Sequence, residues 1–79
     1  MKLLVMPSGN LVNPTHIHGV IKFKGKGVAL RNEYNKIICF EDEPDNARQN
    51  VIASELEIVV NAKKDAAQPD WKAAFSKLA

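Results

Sequence analysis

The chain has 79 residues, 46% of them hydrophobic and 25% charged, which fits one small folded domain and excludes wholesale disorder or a large buried cleft. Its single cysteine, Cys39, excludes an internal disulfide framework and fits a reducing compartment. No stretch approaches a membrane span and residues 1–6 are too short for the apolar region of a signal peptide, so a cytoplasmic location without membrane association is expected.

The net charge of +2 conceals an asymmetry. Residues 1–40 carry six Lys/Arg against the single acid Glu33, and residues 41–79 carry five against eight Asp/Glu. An anionic partner is therefore expected to meet the first half.

Lys2 to Met6 and Leu11 to Asn13 form a first hairpin about Pro7, Ser8 and Gly9. Proline suits the second position of a type I turn and glycine the left-handed residue that closes it, so Met6 should face Asn10, Val5 face Leu11, and Leu4 face Val12. Asn13, Pro14, Thr15, His16 and Ile17 then read as a tight connection, because proline holds the residue before it extended.

Residues 20–40, VIKFKGKGVALRNEYNKIICF, read as three antiparallel strands joined by two short turns. With Gly25 and Lys26 at the centre of a two-residue turn, Phe23 faces Val28 and Ile21 faces Leu30. With a second turn on Asn32, Glu33, Tyr34 and Asn35, Leu30 faces Ile37 and Val28 faces Cys39. Ile21, Phe23, Val28, Leu30, Ile37 and Cys39 then share an inward face, which a one-residue slip would split. The opposite face carries Val20, Lys22, Lys24, Ala29, Arg31, Lys36, Ile38 and Phe40.

Glu41 to Asp45 breaks the sheet and starts a helix, since proline and carboxylates are favoured at helix N-termini. The helix is placed from Asp45 to Asn61, with Ile52, Ala53, Leu56, Val59 and Val60 on one apolar arc. Alternation over residues 56–60 leaves a strand as the competing reading of that stretch. After a joint at residues 65–69, Trp71, Ala74, Phe75 and Leu78 recur at i, i+3, i+4 and i+7, the stripe of a short amphipathic helix. The expected architecture is thus α+β: a four-stranded antiparallel sheet of two β-hairpins covered by one helix, plus a short C-terminal amphipathic helix. Residues 1–64 form the sheet-and-helix domain, and residues 65–79 the linker and terminal helix.

Three constellations bear on function. Lys22, Lys24, Arg31 and Lys36, with Phe40 as a stacking plane, make the candidate nucleic-acid face. Val20, Ile38 and Phe40, with Trp71, Phe75 and Leu78, make the candidate partner interface. His16 and His18 lie at i, i+2, but no third or fourth ligand is near in sequence, so no metal or other cofactor is expected. Nor do the residues assemble a nucleophile, base and orienting group by spacing, and Cys39 is expected to serve as a small core residue.

Pro7, Ser8 and Gly9, followed by Asn13-Pro14-x-x-Ile17 and then Val28, Leu30, Ile37 and Ile38 leading to a helix, resemble the FlbD-type proteins of bacterial flagellar operons. The resemblance covers residues 1–60. It departs in lacking an Asn-Gly second turn and in adding the terminal helix, and it implies a small bacterial accessory protein without transferring a flagellar role. The leading expectation is a non-catalytic protein-interaction or regulatory module, a homodimer or the partner of another protein. A nucleic-acid-binding regulator is the alternative.

Overall fold

The computed structural model describes residues 2–78; Met1 and Ala79, the outer ends of the two expected segments, lie outside it. Strands β1 (Leu4–Val5) and β2 (Leu11–Val12) form a short ribbon. Its register is the expected one, with Leu4 opposite Val12 and Val5 opposite Leu11. The Gly9 amide donates to the Met6 carbonyl and Gly9 takes a φ of 96°, as a turn closed by a left-handed glycine requires.

A separate sheet follows, made of β3 (Gly19–Phe23), β4 (Gly27–Arg31) and β5 (Ile37–Asp42) in the order β3-β4-β5. The expected four-stranded sheet is therefore corrected to a two-stranded ribbon and a three-stranded sheet. Between them Pro14–His16 forms a 3-10 turn capped by Asn13, whose side chain accepts from the Thr15 amide. Proline has no amide to give to a strand ladder, and the turn redirects the chain before β3 begins.

The register of β3 on β4 also differs from expectation by one residue. Phe23 pairs with Gly27, Lys22 with Val28, Ile21 with Ala29 and Val20 with Leu30. Gly25, with φ 74°, is the third residue of the turn that the Lys26 amide closes on the Phe23 carbonyl. That is where a type II turn needs positive φ, whereas the expected turn put glycine first. In the next hairpin Asn35, with φ 67°, takes the left-handed position, and the Asn32 side chain accepts from the amides of Tyr34 and Lys36. The turn sets Arg31 opposite Ile37, and a bulge on β5 between the Ile37 and Cys39 pairings then sets Leu30 opposite Cys39 and Val28 opposite Glu41, a two-residue correction of the expected pairing of Leu30 with Ile37 and Val28 with Cys39.

Of the six residues expected to face inward, Val28, Leu30 and Cys39 do so, Ile21 and Phe23 turn outward, and Ile37 is exposed. Val20 takes the inward place that Ile21 was to hold.

Helix α1 (Asn46–Ala62) covers the inner face. It is helical through residues 56–60, and Asp45 caps it by accepting from the amides of Ala47 and Arg48. Ile52, Leu56 and Val59 meet Val28 and Leu30, while Leu4, Met6, Val12 and Ile17 from the ribbon and the turn close the same core. Gln49 is only 2% exposed, and its amide donates to the carbonyls of Phe23 and Glu43, tying the helix to the end of the sheet.

Helix α2 (Trp71–Ser76) ends before Leu78, the last residue of the expected stripe, and is capped by Asp70. Its Trp71 and Phe75 lie against the same core. Among the described residues no helix is long and apolar enough to cross a membrane.

Candidate functional site

The outer face of the β3-β4-β5 sheet, opposite α1, takes its composition from the register. Paired residues share a face, so Ile21, Ala29 and Phe40 form one row, Phe23, Gly27 and Asp42 the next, and Gly19 and Arg31 the far end. The rings of Phe23 and Phe40 stand 6.2 Å apart, tilted by 55°. Phe40 lies over Gly27, where an added Cβ would come within 2.7 Å of the ring and 2.2 Å of the Glu41 carbonyl. Ala29 is fully buried beneath this layer. Phe23, Ile38 and Phe40 nonetheless remain 38–40% exposed and Ile37 54%, a contiguous apolar surface of a kind that small soluble domains rarely leave free.

Charge marks the two ends of the face. Arg31 folds over Gly19 and donates through Nη1 to the Asn35 side chain, and its buried Nε has no partner among the described residues. At the opposite end Asp42 stands exposed beside Phe23 and Gly27.

Of the expected nucleic-acid residues, Arg31 and Phe40 belong to this face, and Lys36 follows the turn at its Arg31 end. Lys22 and Lys24 do not. The register shift carries Lys22 to the helix side, where its Nζ donates to Asn50 Oδ1 at 2.8 Å, and Lys24 lines the same cleft. The four cations therefore do not share one surface.

The expected partner interface also divides. Ile38 and Phe40 are on the outer face, but Val20 packs into the core. Trp71 and Phe75 stack on each other with centroids 6.2 Å apart and dock on their own chain. Trp71 Nε1 donates to the Val5 carbonyl at 2.7 Å, and the Arg48 guanidinium sits 3.9 Å over the Phe75 ring. Leu78 stays exposed beside the groove between α1 and α2. Sequence reasoning missed Ile21, Phe23 and Asp42 as members of the outer face. The available signal was that a single glycine flanked by lysines suits the third position of a turn as well as its centre.

Two further clusters flank the sheet. On the inner side Glu41 is 4% exposed and accepts from the Ser8 hydroxyl at 2.9 Å. Burial pushes its carboxyl above the ordinary glutamate range, Asp42 and Glu43 add to the shift, and the hydrogen bonds from Ser8 offset part of it. Burial and the nearby Glu41 likewise raise the Cys39 thiol, partly offset by a hydrogen bond with Asn10. A thiol so shifted stays protonated and is a poor nucleophile.

At the Arg31 end, Thr15, His16, His18, Asn32, Glu33 and Tyr34 line an open cleft of about 310 Å³. Among the described residues no group of three or more His, Cys, Asp or Glu side chains is placed to hold a metal ion.

No protein-family model matches the chain, and no curated protein or solved structure is similar to it.

Proposed function

We propose that the protein is a non-catalytic interaction module that works as a homodimer through the outer face of its three-stranded sheet. The observation that supports this reading is the arrangement of that face: apolar Ile21 and Phe40 in the middle, Ile38 toward one end with Arg31, and Phe23 toward the other with Asp42. Two copies related by a two-fold axis and stacked in opposite directions bury the apolar middle. Each Arg31 is then brought toward its partner's Asp42, the self-complementarity an isologous interface needs. Three strands about 4.8 Å apart offer less area than the roughly 800 Å² per side of a standard interface, so the association is weak and reversible. The resemblance to small accessory proteins of bacterial operons fits such a role.

Sedimentation equilibrium from micromolar to millimolar concentration tests the reading. The mass is expected to rise toward twice the monomer value, and Phe40→Glu to hold it at the monomer. Arg31→Asp and Asp42→Arg should each weaken association about two- to fivefold, the worth of an exposed ion pair, and together restore it. A mass that stays monomeric at millimolar concentration overturns the proposal.

A further inference from the structure

The side of the sheet facing α1 carries a second feature, independent of the dimer face. Where the β3-β4 turn meets the first turns of α1, Lys22, Lys24, Asn46, Gln49 and Asn50 line an open cleft of about 290 Å³. This lies near the lower end of the range for small-ligand sites, about 300 Å³.

The hydrogen bonds around the cleft determine which atoms its amides present. The Gly25 backbone N–H donates to Asn46 Oδ1 at 3.1 Å, and Lys22 Nζ donates to Asn50 Oδ1 at 2.8 Å. An incoming donor must meet the amide oxygen, so both Asn orientations follow, and each NH₂ group is left to donate. Lys22 keeps two further N–H groups and Lys24 three. Gln49 is nearly buried and directs its NH₂ to the Phe23 and Glu43 carbonyls.

Of the carboxylates close by, Asp42 lies on the opposite face of the sheet, and the two at the start of α1 are already engaged. Glu43 pairs with Arg48 at 2.7 Å, and Asp45 accepts from the first amides of α1. The helix N-terminus is thereby capped, and what faces the cleft is a set of side chains: two ammonium groups and two amide donors.

We propose that this cleft binds the phosphoryl group of a small phosphorylated molecule. Two cations supply the charge, as lysine does in many phosphate sites. The two Asn NH₂ groups, one helical turn apart on α1, supply directional donors to the remaining oxygens.

The test is a two-dimensional amide NMR titration of the full chain with inorganic phosphate and with pyrophosphate, referenced to potassium chloride at equal ionic strength. Saturable shifts are expected at the side-chain NH₂ groups of Asn46 and Asn50 and at the Gly25 N–H. Asn50→Asp keeps an acceptor for Lys22 but replaces a donor with a negative charge, and should weaken binding about tenfold or more. Lys24→Met should weaken it in the same direction, while Arg31→Ala, on the other face, should leave it unchanged; retained spectral dispersion shows that each variant folds. Shifts that grow linearly and match those in chloride, or an unchanged affinity in Asn50→Asp, overturn the proposal. It is equally overturned if a single-stranded oligonucleotide saturates the same signals at lower concentration than pyrophosphate, because the ligand is then a nucleic-acid backbone.

Discussion

Glu41 sits where the register of a bulged hairpin leaves a carboxyl on the inner side of a sheet, with a serine hydroxyl as its nearest donor. Because burial raises its pKa in the folded state, the native protein holds this proton more tightly than the unfolded chain does. The stability it contributes is therefore fully present below the ordinary glutamate range and is lost as pH rises through the raised folded value. Urea unfolding at a series of pH values should show Glu41→Gln to be more stable than the natural sequence at neutral pH, with a flatter dependence on the acid side. Lower stability of the glutamine variant at pH 7 would count against a buried charge. Gly27 marks the other residue-level constraint, since the Phe40 ring and the Glu41 carbonyl occupy the space a methyl group needs. Gly27→Ala should cost about 1–3 kcal/mol, the usual penalty of overpacking, read as a lower urea midpoint. Neither constraint was legible in the sequence. Both depend on the pairing of β5 with β4, which the Asn32–Asn35 turn and the bulge each move by one residue, and an Ile37-Ile38 pair carries no local sign of which residue is the extra one.

At the level of elements, local chemistry was readable wherever one residue type determines the backbone. Pro7 and Gly9 set the first turn and with it the ribbon register, and Asp45 set the start of α1. Asp45→Ala should cost about 1 kcal/mol and reduce helical circular dichroism near the melting midpoint, as loss of an N-cap does. The β3-β4 turn was misread because Gly25 satisfies two turn types, and the choice between them moves Ile21 and Phe23 from the core to the surface. Val28 and Leu30 were placed correctly because strand alternation alone puts them on one face of the central strand, opposite Ala29, whichever way its neighbours slip. The stripe on α2 was visible from its spacing, but the spacing does not say what the stripe meets. Trp71→Phe keeps most of the ring and removes the N–H that Val5 accepts. It should cost about 1 kcal/mol, measured by urea unfolding, and an unchanged midpoint would show that the bond adds nothing.

Across the whole molecule, one sheet face is roofed by α1 and the ribbon and the other is left open, which is the asymmetry the proposed dimer uses. The α+β class was legible in the order of the segments; the separation of the strands into two sheets was not. Asn13-Pro14 was correctly seen as a connection, yet only the folded chain shows that it turns the ribbon toward the core instead of adding it to the sheet edge. The candidate site was legible in Ile38, Arg31 and Phe40 and obscured where the turn shift exchanged Lys22 and Val20 for Ile21 and Phe23.

The protein contains a single tryptophan, and that tryptophan bonds to a residue 66 positions earlier. Its emission thus reports the joining of the last helix to the first strand and to the edge of the core on which that helix packs. A contact spanning so much of the chain closes against a large loop entropy. Stopped-flow fluorescence should therefore lag behind far-ultraviolet circular dichroism during refolding, the optical signal tracking the seam between the two ends of the chain.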